Sequence, residues 1–147
     1  MSGLVQRNDL AFPLEEYSGR LSGAARALTA AGFDALVATS PENICYLSGF
    51  ESVGYFNPQA LVLAGDGRST LITRALEIPN AEASCALPRL VGFQDHETLT
   101  EKVATEIASY GAGRGRIGAE LRSHWLGVAQ LRGLENALPK ATIEDAF

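Results

Sequence analysis

Asp34-Ala35-Leu36-Val37-Ala38-Thr39, running directly into Ser40-Pro41-Glu42-Asn43, is the stretch from which the fold can be read. The apolar run has no polar alternation, as expected of a strand buried on both faces. Ser40 offers an N-cap oxygen, Pro41 loses no bond at the first helical position, and Glu42 sits at the positive end of a helix dipole. The spacing therefore predicts a strand over 34–39 and a short helix through Leu47, stopped by Gly49. A doubly buried strand handed to a helix is the unit of an α/β sheet covered on both sides.

Working outward, Leu14, Tyr17, Leu21, Ala24, Leu28 and Ala31 recur at three- and four-residue intervals and predict a helix at about 13–31. Pro13 opens it, Glu15 and Glu16 favour its first turn, and Gly32 ends it. On the other side, Gln59 to Ala64 is a second buried strand, Gly65-Asp66-Gly67-Arg68 is turn chemistry, and Ser69 to Thr73 is the hairpin partner. A short helix over 75–83 and a strand over Leu90 to Phe93 follow. Thr98 and Glu101 have capping-box spacing ahead of Leu99, Val103, Ile107 and Tyr110, which share one helical face closed by Gly111. Arg116 to Leu121 reads as a strand, and Ser123 as the cap of a helix turning Val128, Leu131, Leu134 and Leu138 inward. Pro139 ends that helix, and Thr142 to Glu144 make a last edge strand. The prediction is a single domain over 1–147, a three-layer α/β/α fold with a mixed, mostly parallel sheet of about six strands.

Composition narrows the function classes. The 147 residues are 46% hydrophobic and 20% charged, and a chain of this length buries roughly 70% of its unfolded surface without needing a disulfide or metal. A net charge of −5 with scattered arginines gives no basic face, so no nucleic-acid partner is expected. The longest apolar run, Ala60 to Ala64, is far short of the ~18 residues of a membrane span, so no membrane partner is expected either. Met1 to Asp9 lacks the charged start and apolar stretch of a signal peptide. Cys45 and Cys85, 40 residues apart, read as reduced thiols of a cytoplasmic protein.

Chemistry-bearing motifs are sparse. His96 and His124 have no ligand three or four residues away and read as solvated or capping residues, so no metal or other cofactor is expected in this chain. No G-x-S-x-G elbow occurs, and Cys45 reads as a small core residue. Gly113 to Gly118 matches G-x-G-x-x-G as a string, but it follows a helix and enters a strand, the reverse of what a pyrophosphate needs.

The segment Tyr46-Leu47-Ser48-Gly49-Phe50, Tyr55-Phe56, Pro58-Gln59 before Ala-Leu-Val-Leu, and Leu71-Ile72-Thr73-Arg74 with Glu77 resembles the N-terminal domain of the creatinase/prolidase (Xaa-Pro peptidase) family. Phe12, Glu16-Tyr17, Arg20-Leu21, Gly32 to Val37 and Ser40 to Ile44 extend the resemblance, which covers about residues 12 to 146. It implies a two-domain parent whose hydrolytic site lies in a larger C-terminal "pita-bread" catalytic domain, absent from this sequence. In the family's peptidases carboxylates and a histidine there hold a dinuclear divalent metal site (Mn, Co or Zn), whereas creatinases work without metal. The chain thus resembles an excised or truncated N-terminal domain, with Ile143 to Phe147 near the inter-domain connection. Its implied partners are its own C-terminal catalytic domain and a second copy, as a homodimer.

The same resemblance makes Tyr55 and Phe56 candidates for a substrate-cleft rim or an interface, beside the alternative that they only anchor their loop. Arg74, at a strand end, and Glu77 are further candidates, beside the alternative of an ion pair between them at i,i+3 spacing. Pro58 stands where creatinases carry a base, which favours Xaa-Pro peptidase-like or other amidohydrolase chemistry over creatine. Two rival readings stand beside the non-catalytic domain: a stand-alone α/β binding module and a small independent enzyme.

Overall fold

A computed structural model describes residues 3–146. Met1 and Ser2, at the start of the segment read as leaderless, and Phe147, at the end of the connection segment, lie outside the described residues. The elements in chain order are α1 (Leu14–Ala30), β1 (Ala35–Ala38), α2 (Pro41–Ser48), β2 (Ala60–Ala64) and β3 (Ser69–Arg74). A 3-10 turn (Ala75–Glu77), α3 (Ile78–Ser84), β4 (Arg89–Phe93), α4 (Leu99–Ser109), β5 (Arg116–Ala119), α5 (Val128–Ala137) and β6 (Thr142–Asp145) follow among the described residues.

The six strands form one sheet in the order β4-β3-β2-β1-β5-β6. β1 pairs parallel with β5, β5 with β6 and β3 with β4, whereas β2 is antiparallel to both β1 and β3. β2 is therefore the one reversed strand, and the mixed, mostly parallel sheet of the prediction is observed. Strand alternation divides the apolar side chains between two cores. Val37, Val62, Ile72 and Ile117 pack with Val103 and Ile107 of α4 and Leu134 of α5. Leu61, Leu63 and Leu71 pack on the other face with Leu21 of α1, Ile44 and Leu47 of α2 and Ala81 of α3. This two-sided burial is why the strands read as unbroken apolar runs, and each fully buried Leu or Val stabilises the fold by roughly 1.5–3 kcal/mol.

Local signals placed α2 well. Ser40 Oγ accepts the Asn43 N–H at 3.4 Å, and Gly49 ends the helix in the left-handed region at φ +81°. Gly49 is also sterically required: a Cβ there would lie 2.9 Å from the Ser84 carbonyl oxygen and from Tyr17 Oη.

The structure corrects several local expectations. Pro13 precedes α1 in extended conformation rather than occupying its first turn. The helix expected over 75–83 is a 3-10 turn followed by α3, and β5 ends at Ala119, before Leu121. α5 begins at Val128 because Ser123 Oγ accepts the Trp125 N–H at 3.1 Å within a turn, so Ser123 caps no helix. Val128 is consequently 72% exposed instead of inward-facing, while Leu134 and Leu138 are buried as expected.

Candidate functional site

The reversal of β2 brings its preceding loop to the edge where the five parallel strands end, since Ala38 at the end of β1 faces Leu61 near the start of β2. The loop 50–59, the end of β3 at Arg74, the turn after β4 and the segment after β5 therefore share one carboxyl edge, the side on which open α/β sheets place ligand-facing groups. The loop displays Val53, Tyr55 and Phe56, exposed to 92%, 50% and 71%. Tyr55 and Phe56 meet edge to face with ring centroids 6.0 Å apart, and Tyr55 meets Trp125, from the segment after β5, at 5.6 Å. Such pairs add about 0.5–1.5 kcal/mol beyond their buried area.

Arg74 and Glu77 lie beneath this cluster, but not as a pair. Arg74 Nη2 donates to Asp95 Oδ1 at 2.6 Å, and Nη1 makes a long contact of 3.5 Å with Asn57 Oδ1. Glu77 is buried and accepts from Ser52 Oγ at 2.7 Å. The i,i+3 ion pair is not formed because Arg74 still has extended backbone, with ψ 144°, and its side chain follows the sheet edge toward β4. All four candidates, Tyr55, Phe56, Arg74 and Glu77, thus lie at the carboxyl edge.

Sequence reasoning missed Trp125, Asp95, Ser52 and Asn57, whose roles arise from contacts distant in sequence. It also missed Glu120. This buried carboxylate follows β5 and faces the start of α2. Its Oε2 accepts the backbone N–H groups of Thr39 at 2.6 Å and Ser40 at 2.7 Å. Its Oε1 accepts from Ser40 Oγ at 3.0 Å and from Asn43 Nδ2. The only signal in the sequence was an acid at the end of an apolar strand.

The opposite edge carries a second polar group of residues. Arg89 donates twice to buried Glu106 at 2.7 Å, and Thr70 Oγ1 donates to it at 2.9 Å while also bonding Tyr110 Oη. The Arg89 guanidinium holds the Glu106 carboxyl below the usual glutamate range. A depression of about 420 Å³ opens there between Gly3, Leu4 and the β2–β3 turn.

His96 and His124 are exposed, and the Gly113 to Gly118 segment connects α4 to β5 with the polarity read from the sequence. The free cysteines differ: Cys45 is half-buried, contrary to its reading as a core residue, whereas Cys85 is fully buried and its thiol is pushed up to about 11 by burial. No helix is long and apolar enough to cross a membrane among the described residues.

No group of three or more His, Cys, Asp and Glu among the described residues is arranged to hold an ion. The carboxylates have other work: Glu120 and Glu106 as above, Asp34 Oδ2 on the Arg116 N–H at 2.8 Å, and Glu144 on the Arg116 guanidinium at 2.9 Å. The residues present do not fit a two-metal centre, which needs several carboxylates converging on one point.

A family model described as "Creatinase/Prolidase N-terminal domain" matches residues 20–146. Among curated proteins, the chain is 24% identical over 146 residues to an ectoine hydrolase of Halomonas elongata, covering 93% of this chain and 37% of that protein. An uncharacterized hydrolase/peptidase of Sinorhizobium fredii matches with the same identity and coverage. The chain thus spans 37% of the length of these curated relatives. Among solved structures, a proline dipeptidase from Streptococcus pneumoniae superposes with TM-score 0.73 at 24% identity, covering 86% of this chain and 90% of that one. An X-Pro dipeptidase N-terminal domain from Streptococcus pyogenes gives 0.70 at 23% identity, with 87% and 93% covered. Dipeptidase PepE from Mycobacterium ulcerans gives 0.71 at 24% identity, with 90% of this chain and 35% of that one covered. At these identities the structural likeness establishes the fold.

Proposed function

The chain belongs to the creatinase/prolidase N-terminal domain family of hydrolases, and from that premise we propose that it is the non-catalytic part of a larger cytoplasmic enzyme, contributing dimer contacts and part of a substrate-cleft rim. The reaction, hydrolysis of a C–N bond, is assigned to a C-terminal catalytic domain, as is any dinuclear Mn, Co or Zn site. The dipeptidases and the ectoine hydrolase among its relatives support a small amide or peptide substrate, with an Xaa-Pro peptide leading. The observation that carries the rim role is the exposed pair Tyr55 and Phe56, backed by Trp125, at the carboxyl edge of the sheet. Large aromatics fixed on a scaffold but open to solvent are characteristic interface anchors.

The chain by itself is expected to release no proline from Xaa-Pro dipeptides with added manganese or cobalt. Turnover that a chelator abolishes would overturn the non-catalytic assignment. Reading the gene past the Phe147 codon tests the two-domain parent: continuation into a segment with carboxylate and histidine ligands supports it. A stop codon there favours the second reading, a stand-alone α/β binding module. Sedimentation tests the interface: Phe56→Ala is expected to weaken self-association roughly 30-fold, the effect of losing an anchor of ~2 kcal/mol. A clean monomer at high concentration would remove the dimer role.

A further inference from the structure

The loop 51–58 has no helix or strand to hold its shape, yet it presents Tyr55 and Phe56 in a defined pose. Its order comes from below. Glu77, only 9% exposed, accepts from Ser52 Oγ at 2.7 Å, and Ser52 Oγ accepts the Gly54 N–H at 2.8 Å. The Asn57 N–H then closes the turn on the Gly54 carbonyl at 2.8 Å. Asn80 of α3 ties the start of the loop by donating to the Glu51 carbonyl at 2.7 Å, and its amide also reaches Glu77 Oε2 at 3.4 Å. Gly54 lies so close that a Cβ would stand 2.8 Å from Glu77 Oε1. The far side of the loop is braced where Tyr55 meets Trp125 at 5.6 Å and 82°.

We infer that Glu77 is a positioning residue that clamps the aromatic loop through Ser52 and Gly54, that Tyr55 is its strut against Trp125, and that Phe56 is the ring left free to make contact. The contact role of Phe56 rests on the rim-and-interface reading; the clamp does not. The clamp needs one oxygen that only accepts: Glu77 Oε2 takes both the hydroxyl of Ser52 and the amide of Asn80. Glu77 itself is too buried to touch a ligand. Its effect on recognition is exerted by fixing where Phe56 stands.

Trp125 is the only tryptophan, so its emission reports whether the strut is seated. Glu77→Ala is expected to raise the open-loop population about tenfold, the counterpart of ~1.4 kcal/mol, with red-shifted emission and easier acrylamide quenching. Glu77→Gln keeps an acceptor for Ser52 and should restore the wild-type spectrum. A folded Glu77→Ala protein with wild-type emission, or a Gln variant as perturbed as Ala, overturns the clamp. Should Glu77→Ala fail to fold, Ser52→Ala breaks the same relay from the loop side, and an unchanged spectrum there overturns it equally. These readouts need neither dimer nor enzyme. An unchanged spectrum refutes the clamp alone, and a clean monomer in the sedimentation assay refutes the interface alone.

Discussion

Replacing Glu120 by alanine should be among the most damaging single changes in this domain. The carboxylate serves two backbone N–H groups, those of Thr39 at 2.6 Å and Ser40 at 2.7 Å, and also the side chains of Thr39, Ser40 and Asn43. In Glu120→Ala both backbone donors, at buried positions, lose their acceptor, at about 1–3 kcal/mol each. The two hydroxyls can rotate and the half-exposed Asn43 can meet water, so the loss should centre near 3–4 kcal/mol, a large share of an ordinary domain's 5–15 kcal/mol. Glu120→Gln separates shape from charge. Its carbonyl can keep both backbone bonds, Ser40 can turn to accept from the new amide, and Asn43 can flip. What remains is the lost charge assistance, about 1–2 kcal/mol. Urea unfolding followed by far-UV circular dichroism measures both, provided the m-values match wild type. A loss below ~1 kcal/mol for Ala, or a Gln variant no better than Ala, would refute the reasoning.

Other expectations follow from the same structure. With its thiol pushed up to about 11 by burial, Cys85 should resist a disulfide reagent such as DTNB at pH 8, and only Cys45 should react before denaturant is added; equal native rates for the two would contradict this. Because Arg89 depresses the Glu106 carboxyl, that pair adds stability in full above the ordinary glutamate value of 4.5 and loses it as pH falls through the lower folded value. Glu106→Gln should therefore flatten the fall in unfolding free energy below that pH, and an unchanged acid slope would show that the pair contributes nothing. Gly49→Ala combines a left-handed backbone with contacts of 2.8–2.9 Å to Leu10, Ser84 and Tyr17. At roughly 2–3 kcal/mol it should lower the melting temperature by about 6–9 °C, and a melt within a degree of wild type would refute it.

Features decided within a few residues were legible in the sequence. Ser40, Pro41 and Gly49 announced both ends of α2, and the unalternating 34–39 run announced a sheet covered on two sides. Features decided by distant partners were not. Ser123 had the makings of a helix cap, but its oxygen serves a turn that sets Trp125 against Tyr55, a residue 70 positions away. Arg74 and Glu77 had pairing distance only if both were helical, and strand geometry sent Arg74 to Asp95 instead. Glu120 gave almost no sign, because its donors lie 77 to 81 residues upstream. Of the candidate site, Tyr55, Phe56, Arg74 and Glu77 were legible as candidates, whereas the partners that hold them, Trp125, Asp95, Ser52 and Asn57, were not.

One strand laid against the grain has a further consequence for how this domain can diversify. With β2 registered between β1 and β3, residues 51–58 hang outside the hydrogen-bonded lattice, anchored at a few points. Lengthening such a connection costs little, about 0.6 kcal/mol per doubling. This one ribbon can therefore be rewritten as an exchangeable graft while the scaffold beneath is inherited intact.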